Sequence, residues 1–110
     1  MSPINFVPKK IFLTKGVGFH KEKLASFELA LREAGIAPLN LITVSSILPP
    51  HCKFIDKDEG VTLLKPGQVV PIVLAKSESN IPSTLVSSGV GVAVPRDKDH
   101  YGYLSEHHCT

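Results

Sequence analysis

At the centre of the chain stands the segment Thr43-Val44-Ser45-Ser46-Ile47-Leu48-Pro49-Pro50, and the predicted fold is organised around it. An apolar, strand-like run over residues 39–44 ends in two hydroxyl side chains, which a short apolar step and a double proline follow. Proline fixes its own φ, lacks an N–H and restricts the residue before it, so the prolines end the strand and stiffen the backbone. The segment therefore predicts a serine pair held between a strand end and a rigid turn, a place suited to storing backbone strain.

The composition indicates one small globular domain over residues 1–110. The chain has 110 residues, of which 43% are hydrophobic and 20% are charged, so a packed core is expected. The net charge of +2 is scattered and has no aromatic and basic patch beside it, which argues against nucleic acid as a partner.

The sequence also argues against membrane insertion and secretion. No apolar run approaches the roughly 20 residues that span a bilayer. The first residues lack a basic segment followed by an apolar one, and the 2 cysteines do not make a disulfide framework. We therefore expect a cytoplasmic protein.

Upstream of the serine pair, the pattern predicts a strand over 9–17 and an amphipathic helix over 21–34. Leu24, Phe27, Leu31 and Ala34 recur at the spacing of one buried stripe. Gly35 then ends the helix at the position where a left-handed residue is favoured.

Downstream of the serine pair, the chain predicts further strands and turns. Strands are expected over 52–55, 69–75, 85–94 and 101–107, with turns over 57–60, 65–67 and 95–99. The class is α+β, and the one predicted helix covers one face of the strands. The other face needs another helix, a sheet or a partner chain, and because the sequence stops at Thr110, straight after a polar cluster, we expect C-terminal elements of the fold to be missing.

A metal site is not predicted from the histidines and cysteines. His107, His108 and Cys109 are adjacent, and His51 precedes Cys52. Adjacent residues of a strand point to opposite faces, and no spacing typical of zinc ligands occurs.

Four segments together resemble the pyruvoyl-dependent arginine decarboxylases, in the right order and over nearly the whole chain. The segment over 39–50 resembles the processing site of that family, and three others resemble its helix, its glycine-bearing strand and its acid-bearing strand. These are Ser26–Arg32 with Ala34-Gly35-Ile36, Gly89–Pro95 and Tyr101–His108.

The resemblance implies a fold and a cofactor. The fold is a layered αββα-type sandwich that forms homotrimers, with active sites between neighbouring subunits. The chain is expected to split into subunits 1–45 and 46–110, because the hydroxyl of Ser46 attacks the carbonyl carbon of Ser45. Strain at this peptide bond would assist that step. Ser46 then becomes a covalent pyruvoyl group.

The resemblance also implies an activity and roles for single residues. The pyruvoyl group forms a Schiff base with L-arginine, which loses CO₂ to give agmatine for polyamine synthesis or acid resistance. Glu106 matches the proton donor, whose pKa a dry pocket would raise. Asn40 matches an oxyanion-stabilising amide, Glu28 matches a carboxylate that binds the guanidinium group, and Ser45 contributes to substrate binding.

Other interpretations stay open at this point. The substrate could be another basic amino acid, because the carboxylate of Glu28 indicates a cationic side chain but does not define the length of that side chain. Asn40 could be an ordinary turn residue, and Glu28 and Glu106 could be solvated positions. The chain could also be an unprocessed relative that acts only as an oligomerising domain.

Overall fold

The computed structural model describes residues 6–77 and 87–109 as a mixed α and β structure. Two helices and seven strands occur in these ranges. In chain order they are β1 (Lys10–Ile11), α1 (Lys23–Ala34), β2 (Asn40–Thr43), β3 (Ile47–Leu48), β4 (Lys53–Phe54), α2 (Lys57–Leu63), β5 (Val69–Ile72), β6 (Ser87–Ala93) and β7 (Gly102–Cys109).

The strands form three small sheets. β1 pairs with β4, and β2 pairs with β5, both in parallel. The third sheet is antiparallel and has the order β3-β7-β6. The predicted α+β class is therefore confirmed, whereas the layered sandwich stays a prediction.

α1 ends as predicted but buries less of its apolar side than the periodicity indicates. Gly35 has φ 83°, and its N–H donates to the carbonyl oxygen of Arg32. Ala34 is 4% exposed and Ile36 just after the helix is 6% exposed. Leu24, which we predicted on the buried stripe, is 80% exposed, so the N-terminal part of the stripe faces solvent.

The segment before α1 packs closely on the helix through two glycines. A Cβ atom on Gly16 would overlap the carbonyl oxygen of Ala30, and one on Gly18 would overlap that of Ser26. Only glycine permits so close an approach to the helix backbone. The hydroxyl of Thr14 also donates to the carbonyl oxygen of Ala34, at 2.7 Å. The predicted strand over 9–17 is consequently short: pairing ends at Ile11 and the rest lies along α1.

The prediction of a turn over 57–60 is wrong, because this segment opens α2. Asp56 caps the helix, since its carboxylate accepts a hydrogen bond from the N–H of Glu59 at 2.8 Å. Gly60 marks a close approach instead of a turn: it is buried, and a Cβ atom there would overlap the ring of Phe12.

The remaining predicted elements mostly agree with the structure. The turn over 65–67 is present, with Gly67 at φ 82°. The predicted strand over 69–75 ends at Ile72, and the first residues of the strand predicted over 85–94 lie outside the described ranges. Within residues 6–77 and 87–109, neither helix has the length and apolar character needed to cross a bilayer.

Candidate active site

The serine pair lies in the short link between two sheets. On its N-terminal side, the N–H of Val44 donates to the carbonyl oxygen of Ile72 at 3.0 Å, which extends the β2–β5 pairing. On its C-terminal side, the carbonyl oxygen of Ser46 accepts a hydrogen bond from the N–H of Leu104 at 2.8 Å. The Ser45–Ser46 peptide is thus held at both ends by hydrogen bonds to different sheets.

The serine hydroxyls make no hydrogen bond among the described residues. Ser45 is exposed and Ser46 is half-buried. A positive φ occurs nearby, at His51 directly after the double proline, where φ is 60°. Strain at the Ser45–Ser46 peptide bond itself stays a prediction.

Glu106 lies on β7, the strand that also holds the backbone of Ser46. β3 and β7 pair Ile47 with Tyr103, and the hydrogen bond from the Leu104 N–H to the Ser46 carbonyl oxygen continues this pairing. Glu106 follows Leu104 by two residues and shares its face of β7, since successive strand residues alternate. Ser46 itself lies at a bend before β3, so the direction of its side chain does not follow from this alternation. Glu106 is exposed in the single chain, and its role as proton donor stays a prediction.

Asn40 is not brought to the serine pair within this chain. It begins β2, whereas Ser45 follows the end of that strand. Four extended residues separate Asn40 from Val44 by about 13 Å, so the short Asn40 side chain cannot reach the Ser45 carbonyl. Its Nδ2 atom instead donates to the carbonyl oxygen of Gly67, at 2.8 Å.

Glu28 is exposed on α1 and already binds a guanidinium group. Its Oε1 atom accepts a hydrogen bond from Nη2 of Arg32 at 2.7 Å, and the two side chains are 59% and 65% exposed. No pairing of Glu28 with Arg32 is among the sequence-based expectations. The spacing of four residues on one helix would have revealed it.

A second polar pair lies on the opposite face of β7 from Glu106. Ser105 Oγ and His107 Nε2 are 2.9 Å apart. Gly91 of β6 pairs with Ser105, and a Cβ atom there would come within 2.7 Å of that hydroxyl oxygen. The small residue at position 91 is thus explained by the Ser105 side chain, whereas Gly89 faces open space.

A cavity of about 330 Å³ lies at the other end of β3. Its walls include Leu48, Cys52 and Phe54, and burial raises the pKa of the Cys52 thiol. His51 at its rim pairs with Asp99, with 2.7 Å between Nε2 and Oδ1. The double proline separates this cavity from the serine pair.

Tyr101, just before β7, affects the ionisation of Tyr103 in that strand. The two rings meet edge to face, with ring centroids 5.5 Å apart. A hydrogen bond to Tyr101, followed by the charge of that group and by desolvation, raises the pKa of Tyr103. The Tyr103 hydroxyl therefore stays protonated at neutral pH.

Comparison with known proteins gives one consistent family. The profile of the pyruvoyl-dependent arginine decarboxylases matches residues 10–110. Pyruvoyl-dependent arginine decarboxylase 2 of Methanosarcina acetivorans is 57% identical over 102 residues, which are 93% of this chain and 56% of the relative. The probable pyruvoyl-dependent arginine decarboxylase of Chlorobaculum tepidum is 57% identical over 105 residues, which are 96% of this chain and 58% of that relative. The pyruvoyl-dependent arginine decarboxylase of Picrophilus torridus is 54% identical over the same shares. The chain therefore spans a little over half the length of these relatives.

Proposed function

Since this chain belongs to the pyruvoyl-dependent arginine decarboxylase family, we propose that it cleaves itself between Ser45 and Ser46 and then decarboxylates L-arginine to agmatine and CO₂. The observation that carries this proposal is the placement of Ser46. Ser46 is half-buried in a link that hydrogen bonds hold at both ends, and its carbonyl oxygen is bound by Leu104 of the strand that also carries Glu106. The chain acts as a single domain over 1–110 that matures into subunits 1–45 and 46–110.

Self-cleavage uses atoms that this chain supplies. The Oγ atom of Ser46 attacks the carbonyl carbon of Ser45, and the amide nitrogen leaves, so an ester replaces the peptide bond. Loss of the Cα proton of Ser46 then breaks the Cβ–O bond, which frees residue 45 as a carboxylate. The dehydroalanine that remains at position 46 takes up water and releases ammonia. A serine is required at position 46 because its oxygen is first the nucleophile and then the leaving group, whereas Ser45 supplies only the carbonyl.

The arrangement around Ser46 fits a pyruvoyl group at that position. The carbonyl oxygen of Ser46 is held by the N–H of Leu104, so the backbone of the modified residue would stay fixed after cleavage. When present, the group supplies an electron-withdrawing carbonyl that accepts electrons as CO₂ leaves. Glu106, on the strand that binds the Ser46 carbonyl oxygen, is proposed to deliver the proton that the substrate α-carbon then needs, and Ser45 is proposed to contact the substrate.

The remote position of Asn40 supports an assembly of several copies. Its amide would stabilise the oxyanion formed at the Ser45 carbonyl, a contribution of about 2.7–4 kcal/mol for one donor. Because Asn40 and Ser45 of one chain are too far apart, the amide comes from a neighbouring copy. A homotrimer of layered αββα-type subunits, with each site between two copies, satisfies this requirement.

Glu28 is proposed to bind the guanidinium group of arginine. A carboxylate and a planar guanidinium group form two parallel hydrogen bonds, and the pair with Arg32 demonstrates that the Glu28 carboxylate accepts such a group. The carboxylate does not measure the length of a substrate. Decarboxylation of another basic amino acid is therefore the alternative within the same reaction class.

A non-catalytic role is the alternative from another class. Large apolar side chains are exposed in the single chain, with Phe19 at 87% and Leu24 at 80%. Such surface favours contact with other protein atoms. The chain would then be an unprocessed relative that only oligomerises.

Intact mass measurement separates these functions. The purified wild-type protein is expected to give two fragments, and borohydride should reduce the new keto group with the corresponding gain in mass. A Ser46→Ala protein should remain whole, whereas a Ser45→Ala protein, which keeps the carbonyl, should still be cleaved. A wild-type chain that stays whole on prolonged incubation would refute the enzymatic function.

A further inference from the structure

We infer that Arg32 competes with the substrate for the carboxylate of Glu28, so that the protein carries its own weak inhibitor of arginine binding. The inference rests on the proposed role of Glu28 as the guanidinium-binding residue. It adds a residue that sets substrate affinity to the residues already described.

The competing contact is made by the same chemical group that the substrate presents. Nη2 of Arg32 donates to Oε1 of Glu28 at 2.7 Å, within one helix and four residues apart. A substrate guanidinium that binds with two parallel hydrogen bonds needs both carboxylate oxygens in one plane. The Arg32 hydrogen bond already occupies one lone-pair position of Oε1, so a substrate guanidinium that approaches from that side has to displace it.

The charge of Arg32 adds a second cost. The guanidinium of Arg32, which stays beside the carboxylate, repels an incoming cation. Both costs are limited, because Glu28 and Arg32 are more than half exposed and water screens them. We expect removal of Arg32 to tighten binding of a guanidinium compound by about two- to fivefold, as is typical of exposed ion pairs.

A positioning role for Arg32 would give the opposite result. If Arg32 held the Glu28 carboxylate in the orientation that the substrate needs, its loss would weaken binding. The direction of the change therefore distinguishes competition from positioning, and both can be measured on the same proteins.

The test uses agmatine as the probe and the uncleaved Ser46→Ala protein as the background. Calorimetry compares the dissociation constant for agmatine with and without the Arg32→Gln substitution. Arg32→Gln should bind agmatine about two- to fivefold more tightly, and the difference should shrink as salt rises, because salt screens exposed charges. Arg32→Lys keeps the charge without the planar fork and should fall in between.

Matched controls identify the site. Lys23→Gln removes one positive charge from the same helix and should leave agmatine binding unchanged, whereas Glu28→Gln should abolish the effect of Arg32→Gln. Equal or weaker binding by the Arg32→Gln protein overturns the inference, as does the absence of binding in both proteins. The proposed function fails by a separate readout, namely the lack of cleavage in the wild-type chain.

Discussion

Two regions of the molecule differ in how they place their proposed site residues relative to the serine pair. One is the antiparallel sheet β3-β7-β6, and the other is formed by α1 and β2. In the sheet, the Ser46 carbonyl oxygen accepts a hydrogen bond from the N–H of Leu104, which lies two residues before Glu106 on β7. In the other region, Asn40 begins β2 at the end remote from the serines, and Glu28 faces solvent on α1. Strand pairing within one chain links the segments that carry Ser46 and Glu106. Within the described residues, Asn40 and Glu28 have no such link to the serine pair.

This difference indicates how the reaction is divided. The groups that exchange bonds and protons need a fixed separation, which paired strands provide. The groups that stabilise the oxyanion or bind the substrate side chain can come from a neighbouring copy. The two regions of one chain would then serve two different active sites.

The largest effect is expected from mixing a slow variant with an inactive one. The Asn40→Ala chain keeps Ser46, and the Ser46→Ala chain keeps Asn40. Alone, the first should be cleaved about 10²–10³ times more slowly and the second not at all. Coexpressed in equal amounts, about half of the Asn40→Ala chains in a cyclic assembly gain a neighbour with an intact Asn40 and should be cleaved. Intact mass of the mixture measures this fraction, and its absence would place Asn40 in its own chain's site.

Glu106→Gln should separate cleavage from decarboxylation. The substitution removes the proton donor but retains the size of the side chain, so we expect cleavage at Ser45–Ser46 to persist. Release of CO₂ from arginine should fall by about 10²–10⁴, the typical contribution of a general acid. Loss of cleavage together with turnover would mean that Glu106 also acts on the peptide bond.

Gly16→Ala should weaken the α1 region without affecting the antiparallel sheet. The added methyl group meets the Ala30 carbonyl oxygen, so α1 must shift, at a cost of about 1–3 kcal/mol in the free energy of unfolding. Gly89→Ala is the matched control, because its methyl group faces open space and should change stability by less than about 0.5 kcal/mol. Urea unfolding measures both variants. Equal losses in the two proteins would show that packing against α1 is not the cause.

Local signals predicted some elements well. The α1 C-terminus at Gly35, the turn at Gly67 and the strand before the serines follow from glycine and from hydrophobic pattern. The turn predicted over 57–60 is the start of α2. The local pattern is ambiguous because charged residues and a glycine are common both in turns and in the first turn of a capped helix. The Asp56 cap and the close packing of Gly60 on Phe12 both favour the helix. The packing of Gly60 on Phe12 joins residues far apart in sequence, so a local pattern does not reveal it.

The order of residues establishes which chemical groups are available: a serine pair before a double proline, an amide, two carboxylates and the family to which they belong. Which partners these groups have depends on the fold. Strand register depends on pairing between distant segments, so the hydrogen bond from Leu104 to Ser46 and the one from Asn40 to Gly67 follow from three-dimensional packing and cannot be read from spacing along the chain.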